Sequence, residues 1–233
     1  MPALFVASEK GGILMKLTDE LYESVKDIWE GYHSHPFIQE MRAGTLPIEK
    51  FRYYMIQDYI YLYEYAKVFA LGVVKSKDHD MMRMFSGMVE STLNDEMDTH
   101  KSYMKRLGIT EEEVAKTHVA LSNVSYTNYM MTEAYQGGIL EILVTILSCA
   151  WSYQLIGEEM AKEPRMTEHE LFGEWVRSYS SEEYRKMNDN LLLLVNQLGE
   201  GISQKEKDNL IDIFTRCSLY EGMFWDMAYQ MEE

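Results

Sequence analysis

The sequence predicts an all-α fold in a single domain, a bundle of seven or more long helices joined by short connections. Three observations carry that expectation. Apolar residues recur at three- and four-residue intervals along nearly the whole chain, with no convincing two-residue alternation. Only four prolines interrupt 233 residues. No low-complexity linker, internal repeat or long charge block divides the chain.

Helical patterning begins after Met15, in "KLTDELYESVKDIWEGY", and predicts a first helix over 18–32 with Thr18 as N-cap. Residues 1–14 are read as an N-terminal extension, or as translation begun upstream of a start at Met15; residues 15–233 are read as the domain. "SHPFIQEMRAGTLP" gives a short helix and a turn, and Pro47 suits the opening of a long helix to about Ser76. The next helix spans 80–107, closed by Gly108. "TEEEVAKTHVAL" opens with capping-box spacing from Thr110. Helices over 125–135, 139–161, 168–179, 181–198 and 203–231 complete the set, broken at Gly137–Gly138 and 162–167.

Composition bounds the partners. The hydrophobic fraction of 46% and the charged fraction of 26% are those of a soluble globular protein. A net charge of −16 argues against nucleic acid or an anionic membrane as the main partner. No apolar run reads as a membrane span, and "MPALFVASEKGG" does not read as a signal peptide. Two separated cysteines, Cys149 and Cys217, suggest neither a disulfide framework nor a zinc site, and fit a reducing cytoplasm.

Three core stripes each carry one residue unlike the rest. Asp58 shares a stripe with Phe51, Met55, Tyr61, Tyr65 and Phe69. Glu221 falls among Leu210, Phe214, Cys217, Phe224 and Ala228, and Cys149 among Ile142, Ile146, Tyr153 and Ile156. A single buried carboxylate is commonly paired to a base, and a single buried cysteine commonly packs as a small hydrophobe. Two carboxylates and a thiol in separate core stripes point instead to a ligand site. The tyrosine run "YYMIQDYIYLYEY" adds aromatic walls suited to a flat polar heterocycle, although most of its rings are expected to pack the core. His33 with His35, and Glu96 with His100 one helical turn apart, are weaker metal-ligand candidates, and no metal site is expected. Neither "GGIL" nor "GEGIS" has phosphate-loop spacing, and no GxSxG element occurs.

"HPFIQEMRAGTLPIEKFRYYMIQDYIYL", "SYTNYM", "CAWSYQLIGE", "WVRSYSSEEY" and "LYEGMFWDMAY" together resemble, in order and spacing, the thiaminase II (TenA) family of aminopyrimidine aminohydrolases. The resemblance runs from about Met15 to Tyr229, and Cys149 places the chain with the cysteine-bearing subgroup. It implies a heme-oxygenase-like helical bundle, a homotetramer, no cofactor, and hydrolysis of an aminomethyl pyrimidine to its hydroxymethyl counterpart with loss of ammonia, thiamin itself being a further substrate. It also implies roles: Cys149 as nucleophile, Glu221 as acid/base, Asp58 as the carboxylate holding the pyrimidine, and Tyr61, Tyr126, Tyr153 and Tyr179 as the pocket lining. Two other readings stand beside it: a metal- or haem-dependent oxidative enzyme of the same fold, and a pyrimidine-binding regulator without turnover.

Overall fold

A computed structural model describes residues 6–7 and 13–232. Most of the extension over 1–14 therefore lies outside the described residues. Its described part pairs Val6 with Leu14 and Ala7 with Ile13, an antiparallel ladder of two-residue strands β1 (Val6–Ala7) and β2 (Ile13–Leu14) that the helical periodicity did not predict. The chain forms two compact units. One comprises Met1–Gly31 and Leu143–Leu219, the other Tyr32–Ile142 and Tyr220–Glu233.

The helices are α1 (Leu17–Ser34), α2 (Pro36–Ala43), α3 (Ile48–Lys75), α4 (His79–Ser91), a π-helical turn (Thr92–Glu96), α5 (Met97–Arg106), α6 (Glu111–Lys116), α7 (Leu121–Gln136), α8 (Ile139–Ala161), α9 (Pro164–Thr167), α10 (Gly173–Tyr179), α11 (Glu182–Leu198) and α12 (Gln204–Gln230). Local chemistry sets several of these ends. The side chains of Asp78, Thr110 and Ser181 accept hydrogen bonds from the N–H groups of Met81, Glu113 and Tyr184, capping α4, α6 and α11. Gly44 ends α2 in the left-handed region at φ 72°, where a side chain is strained.

Four sequence expectations shift. Thr18 lies inside α1 rather than capping it. Asn196 serves that end instead, its Oδ1 accepting from the Thr18 N–H at 3.0 Å and its Nδ2 donating to Thr18 Oγ1 at 2.9 Å. The helix expected over 80–107 is interrupted by the π-helical turn, where the Met97 N–H reaches back to the Thr92 carbonyl. α7 begins at Leu121, ahead of the expected Ser125. The helix expected from Glu168 starts only at Gly173, because the His169 ring accepts from the N–H groups of Leu171 and Phe172 and holds a turn there.

In the second unit, Phe37, Phe51, Tyr54 and Trp225 form an aromatic core, with Tyr54 stacked on Trp225 at 5.7 Å. Gly72 of α3 lets α4 approach closely; a Cβ there would sit 2.4 Å from the Phe85 ring. Gln57 of α3 fixes the start of α7. Its Nε2 donates to the His118 carbonyl at 2.9 Å, while its Oε1 accepts from the Ala120 N–H and Asn123 Nδ2. In the first unit, Trp29, Trp151 and Phe214 pack together, and Trp29 Nε1 donates to Ser218 Oγ at 3.0 Å. Contrary to the sequence reading, α8 is by length and composition apolar enough to cross a membrane, with a mean hydropathy of 1.7. Two-thirds of that apolar stretch, 67%, is buried inside the protein, the pattern of a core helix.

Candidate functional site

The second unit holds four of the seven expected site residues. Asp58 sits in α3 on the stripe that buries Phe51, Met55, Tyr61, Tyr65 and Phe69, and is itself only 6% exposed. An isolated carboxylate is costly at such depth, so its partner decides what it is for. That partner is His100 of α5, whose Nε2 lies 2.7 Å from Asp58 Oδ2. The other ring nitrogen, Nδ1, lies 2.9 Å from the Glu96 backbone carbonyl. Asp58 Oδ1 makes no hydrogen bond among the described residues.

Charge follows from that geometry. Burial works against a positive His100. The hydrogen bond to Asp58, the charges of Asp58 and Glu96, and the Glu96 carbonyl outweigh it and raise the imidazole above its ordinary 6.5. Glu96, at the end of the π-helical turn, is half-buried. Burial lifts its carboxyl to about 7, with nearby Asp58 adding to the rise and His100 opposing it.

Glu221 of α12 is 2% exposed, and its Oε1 accepts the Tyr126 hydroxyl hydrogen at 2.7 Å. Tyr126 projects from α7 one turn beyond Asn123, which Gln57 anchors, so α3 sets the rotation of the helix that serves Glu221. The Tyr126 ring lies 5.6 Å from Tyr61 and stacks on Tyr220 at 5.3 Å. Tyr61 in turn meets Phe224 edge-on at 5.6 Å. Within this unit Tyr61, Tyr126 and Glu221 therefore form one contiguous aromatic and carboxylate cluster.

The first unit holds the other three. Cys149 is half-buried in α8, whereas Cys217 is fully buried in α12. Tyr153 stands one turn beyond Cys149 and packs against Tyr179 of α10 at 4.9 Å; both rings contact Trp175. Gly157 permits the approach of α10, since a Cβ there would lie 2.7 Å from Tyr179 Cβ and 2.9 Å from its carbonyl carbon. Next to Cys149, Asn188 Nδ2 donates to the Ala150 carbonyl at 3.0 Å and ties α11 to that turn of α8.

Sequence reasoning missed the partnership of His100 with Asp58. The only signal was the four-residue step from Glu96 to His100, and it suggested a metal pair. The structure corrects that suggestion: both His100 nitrogens face oxygen acceptors, so neither directs a lone pair at a metal. The His33/His35 pair is similarly spent at His35, whose Nδ1 caps α2 and whose Nε2 meets Asp226 at 3.3 Å. No group of three or more metal-ligating side chains occurs among the described residues. A cavity of about 650 Å³ lined by Tyr59, Tyr63, Lys101, Lys105 and Thr110 includes none of the candidate residues.

Comparison with known proteins gives a consistent result. A sequence profile of the TENA/THI-4/PQQC family matches residues 22–231. An aminopyrimidine aminohydrolase of Helicobacter pylori is 43% identical, covering 93% of this chain and 100% of its own. One from Halalkalibacterium halodurans is 41% identical, covering 92% of this chain and 96% of its own. Among solved structures, a TenA homologue from P. horikoshii OT3 superposes with a TM-score of 0.86 at 30% identity, covering 93% of this chain and 99% of that one. A cyanobacterial heme oxygenase-1 from Synechocystis shares the fold alone, with a TM-score of 0.60 at 11% identity over 91% of both chains.

Proposed function

The chain belongs to the TENA/THI-4/PQQC family, and from that membership we propose that it hydrolyses 4-amino-5-aminomethyl-2-methylpyrimidine to the 5-hydroxymethyl pyrimidine with release of ammonia, a step of thiamin-pyrimidine salvage. Thiamin, which carries the same ring, is the second substrate. The observation that carries the reading is Asp58: a buried carboxylate with one oxygen held by His100 and the other without a hydrogen bond among the described residues. Such a group suits the amino edge of an aminopyrimidine, where a carboxylate accepts N–H hydrogen bonds and stabilises a protonated ring.

Direct displacement of the amine at the side-arm carbon is difficult. In the proposed route the Cys149 thiolate adds to a ring carbon and breaks aromaticity. Ring electrons then expel the side-arm amine, which leaves as ammonia after taking a proton from Glu221. Water adds to the exocyclic methylene that results, giving its proton to the Glu221 carboxylate. The thiolate departs and the ring is restored. Each cycle returns sulfur and carboxyl to their starting states and consumes one water for each ammonia. The Tyr126 hydroxyl, hydrogen-bonded to Glu221, suits a carboxyl that must hold an orientation through two opposite proton transfers. Tyr61, Tyr153 and Tyr179 supply ring faces for the substrate, with no cofactor. We place the reaction in the cytoplasm and in a homotetramer, for which sedimentation velocity is the direct check.

The deciding experiment is a timed ammonia assay with the aminopyrimidine and thiamin side by side. Stoichiometric ammonia and hydroxymethyl pyrimidine are expected from the first. Glu221→Gln is expected to lower turnover by about 10²–10⁴-fold, and Cys149→Ala to abolish it in a folded protein. Wild-type turnover by Cys149→Ser would count against covalent catalysis. Tight pyrimidine binding with no ammonia would establish a binder instead.

A further inference from the structure

His100 has two nitrogens and two oxygen neighbours. The Glu96 backbone carbonyl can only accept, so Nδ1 carries a hydrogen. The 2.7 Å approach of Nε2 to Asp58 Oδ2 needs a second proton between them. One proton is thus shared by a carboxylate and an imidazole that are both buried, and the pair is neutral as a unit. His100 is held by the first turn of α5, directly after the π-helical turn, a feature that often marks functional sites. A further charged group acting on the pair from the neighbouring elements is Glu96; its carboxyl makes no hydrogen bond among the described residues.

We propose that His100 is a positioning residue for substrate recognition: it clamps Oδ2 of Asp58 and sets a counter-charge against it, so that Oδ1 is presented to the aminopyrimidine. This rests on the reading of Asp58 as the pyrimidine-holding carboxylate and adds the group that makes that carboxylate usable. Without His100, Oδ2 loses the donor that fixes it, and the carboxylate is free to rotate to whatever donor it finds. The clamp also gives the two oxygens different duties, so the substrate is offered a single acceptor atom at a defined place.

Two measurements on the full chain test this separately. The first needs no substrate. With ¹⁵N-labelled histidine, the His100 ring is expected to show two protonated nitrogens at neutral pH, and to revert to a single protonated nitrogen in Asp58→Asn. A neutral His100 in the wild type would overturn the proposal, whatever the protein binds. The second is calorimetric binding of the hydroxymethyl pyrimidine product together with KM for the aminopyrimidine. His100→Leu is expected to weaken both about tenfold or more, while His100→Gln, which keeps a neutral donor, recovers part of the loss. Iodoacetamide labelling of Cys149 at the wild-type rate in each variant would show that the fold is kept. Unchanged binding in a folded His100→Leu would sink the proposal, as would equal losses in the Gln and Leu variants. If the wild type shows the doubly protonated ring yet neither binds the pyrimidine nor releases ammonia, the reading of Asp58 itself fails and the recognition role falls with it.

Discussion

Tyr126 and Glu221 show what a single hydroxyl contributes to the site. The phenol oxygen lies 2.7 Å from a Glu221 carboxylate oxygen, and both groups are buried, so loss of the hydroxyl removes a buried hydrogen bond. Tyr126→Phe keeps the ring stacking and removes the hydroxyl; a fall in kcat of about tenfold is expected, the equivalent of about 1.4 kcal/mol, with a smaller change in KM. Cys149 and Cys217 differ in exposure, not in chemistry. Iodoacetamide is therefore expected to modify half-buried Cys149 first, and aminopyrimidine to slow that reaction, as mass spectrometry of labelled peptides would show. Glu96 makes a prediction in pH. Its carboxyl titrates near 7 in the fold against 4.5 when unperturbed, so the folded state binds the extra proton between those values. Its contribution is fully present below 4.5 and is lost as the pH rises through about 7. His100, also raised, loses its own contribution in the same direction as the pH climbs above 6.5. Glu96→Gln is expected to match the wild type in melting temperature at pH 4 and to exceed it at pH 8.

At the scale of the element, small residues set how near two helices come. Gly72 in α3 leaves room for the Phe85 ring of α4, and Gly157 in α8 leaves room for the Tyr179 backbone of α10. Neither glycine is needed for an unusual backbone angle; both are needed for the space a methyl would fill. Gly72→Ala is expected to destabilise the fold by about 1–3 kcal/mol in denaturant titration, the usual result of overpacking, with KM little changed. Gly157→Ala acts on Tyr179, one of the rings assigned to the substrate, so its loss of kcat/KM should exceed what its stability loss accounts for. The π-helical turn belongs to this scale as well. It places a wide turn next to His100, within a stretch whose residues looked uniformly α-helical in the sequence.

For the whole molecule, the balance of charge is the dominant property. A net charge of −16 repels itself at low ionic strength, and ion pairs between residues far apart in sequence, such as Arg52 with Glu113 and Lys207 with Glu20, offset only part of it. Raising sodium chloride from low to physiological strength is expected to raise the melting temperature, because screening weakens the net repulsion more than it weakens partly buried pairs. Treatment with a chelator should leave ammonia release unchanged, since the one histidine beside the candidate carboxylates spends both nitrogens on hydrogen bonds.

Periodicity, caps and breakers are local, and the chain declares them residue by residue. Most of the helices, the stripes of α3, α8 and α12, and the odd residues Asp58, Cys149 and Glu221 in those stripes were legible before any coordinates, as was the likeness to TenA proteins; the π-helical turn and the short α9 were not. The partners were not. His100 reaches Asp58 across 42 residues, and Tyr126 reaches Glu221 across 95. Whether two such side chains meet depends on how far each helix is rotated about its axis and how closely it packs, and those are settled by the volumes of residues elsewhere, such as Gln57 at the start of α7 and Gly72 beneath Phe85. The sequence by itself determined which helices form and which faces they bury; the tertiary structure alone decided that a histidine read as half of a metal pair is the clamp on a buried carboxylate, because hydrogen-bond partners are chosen in three dimensions and along the chain nothing marks them.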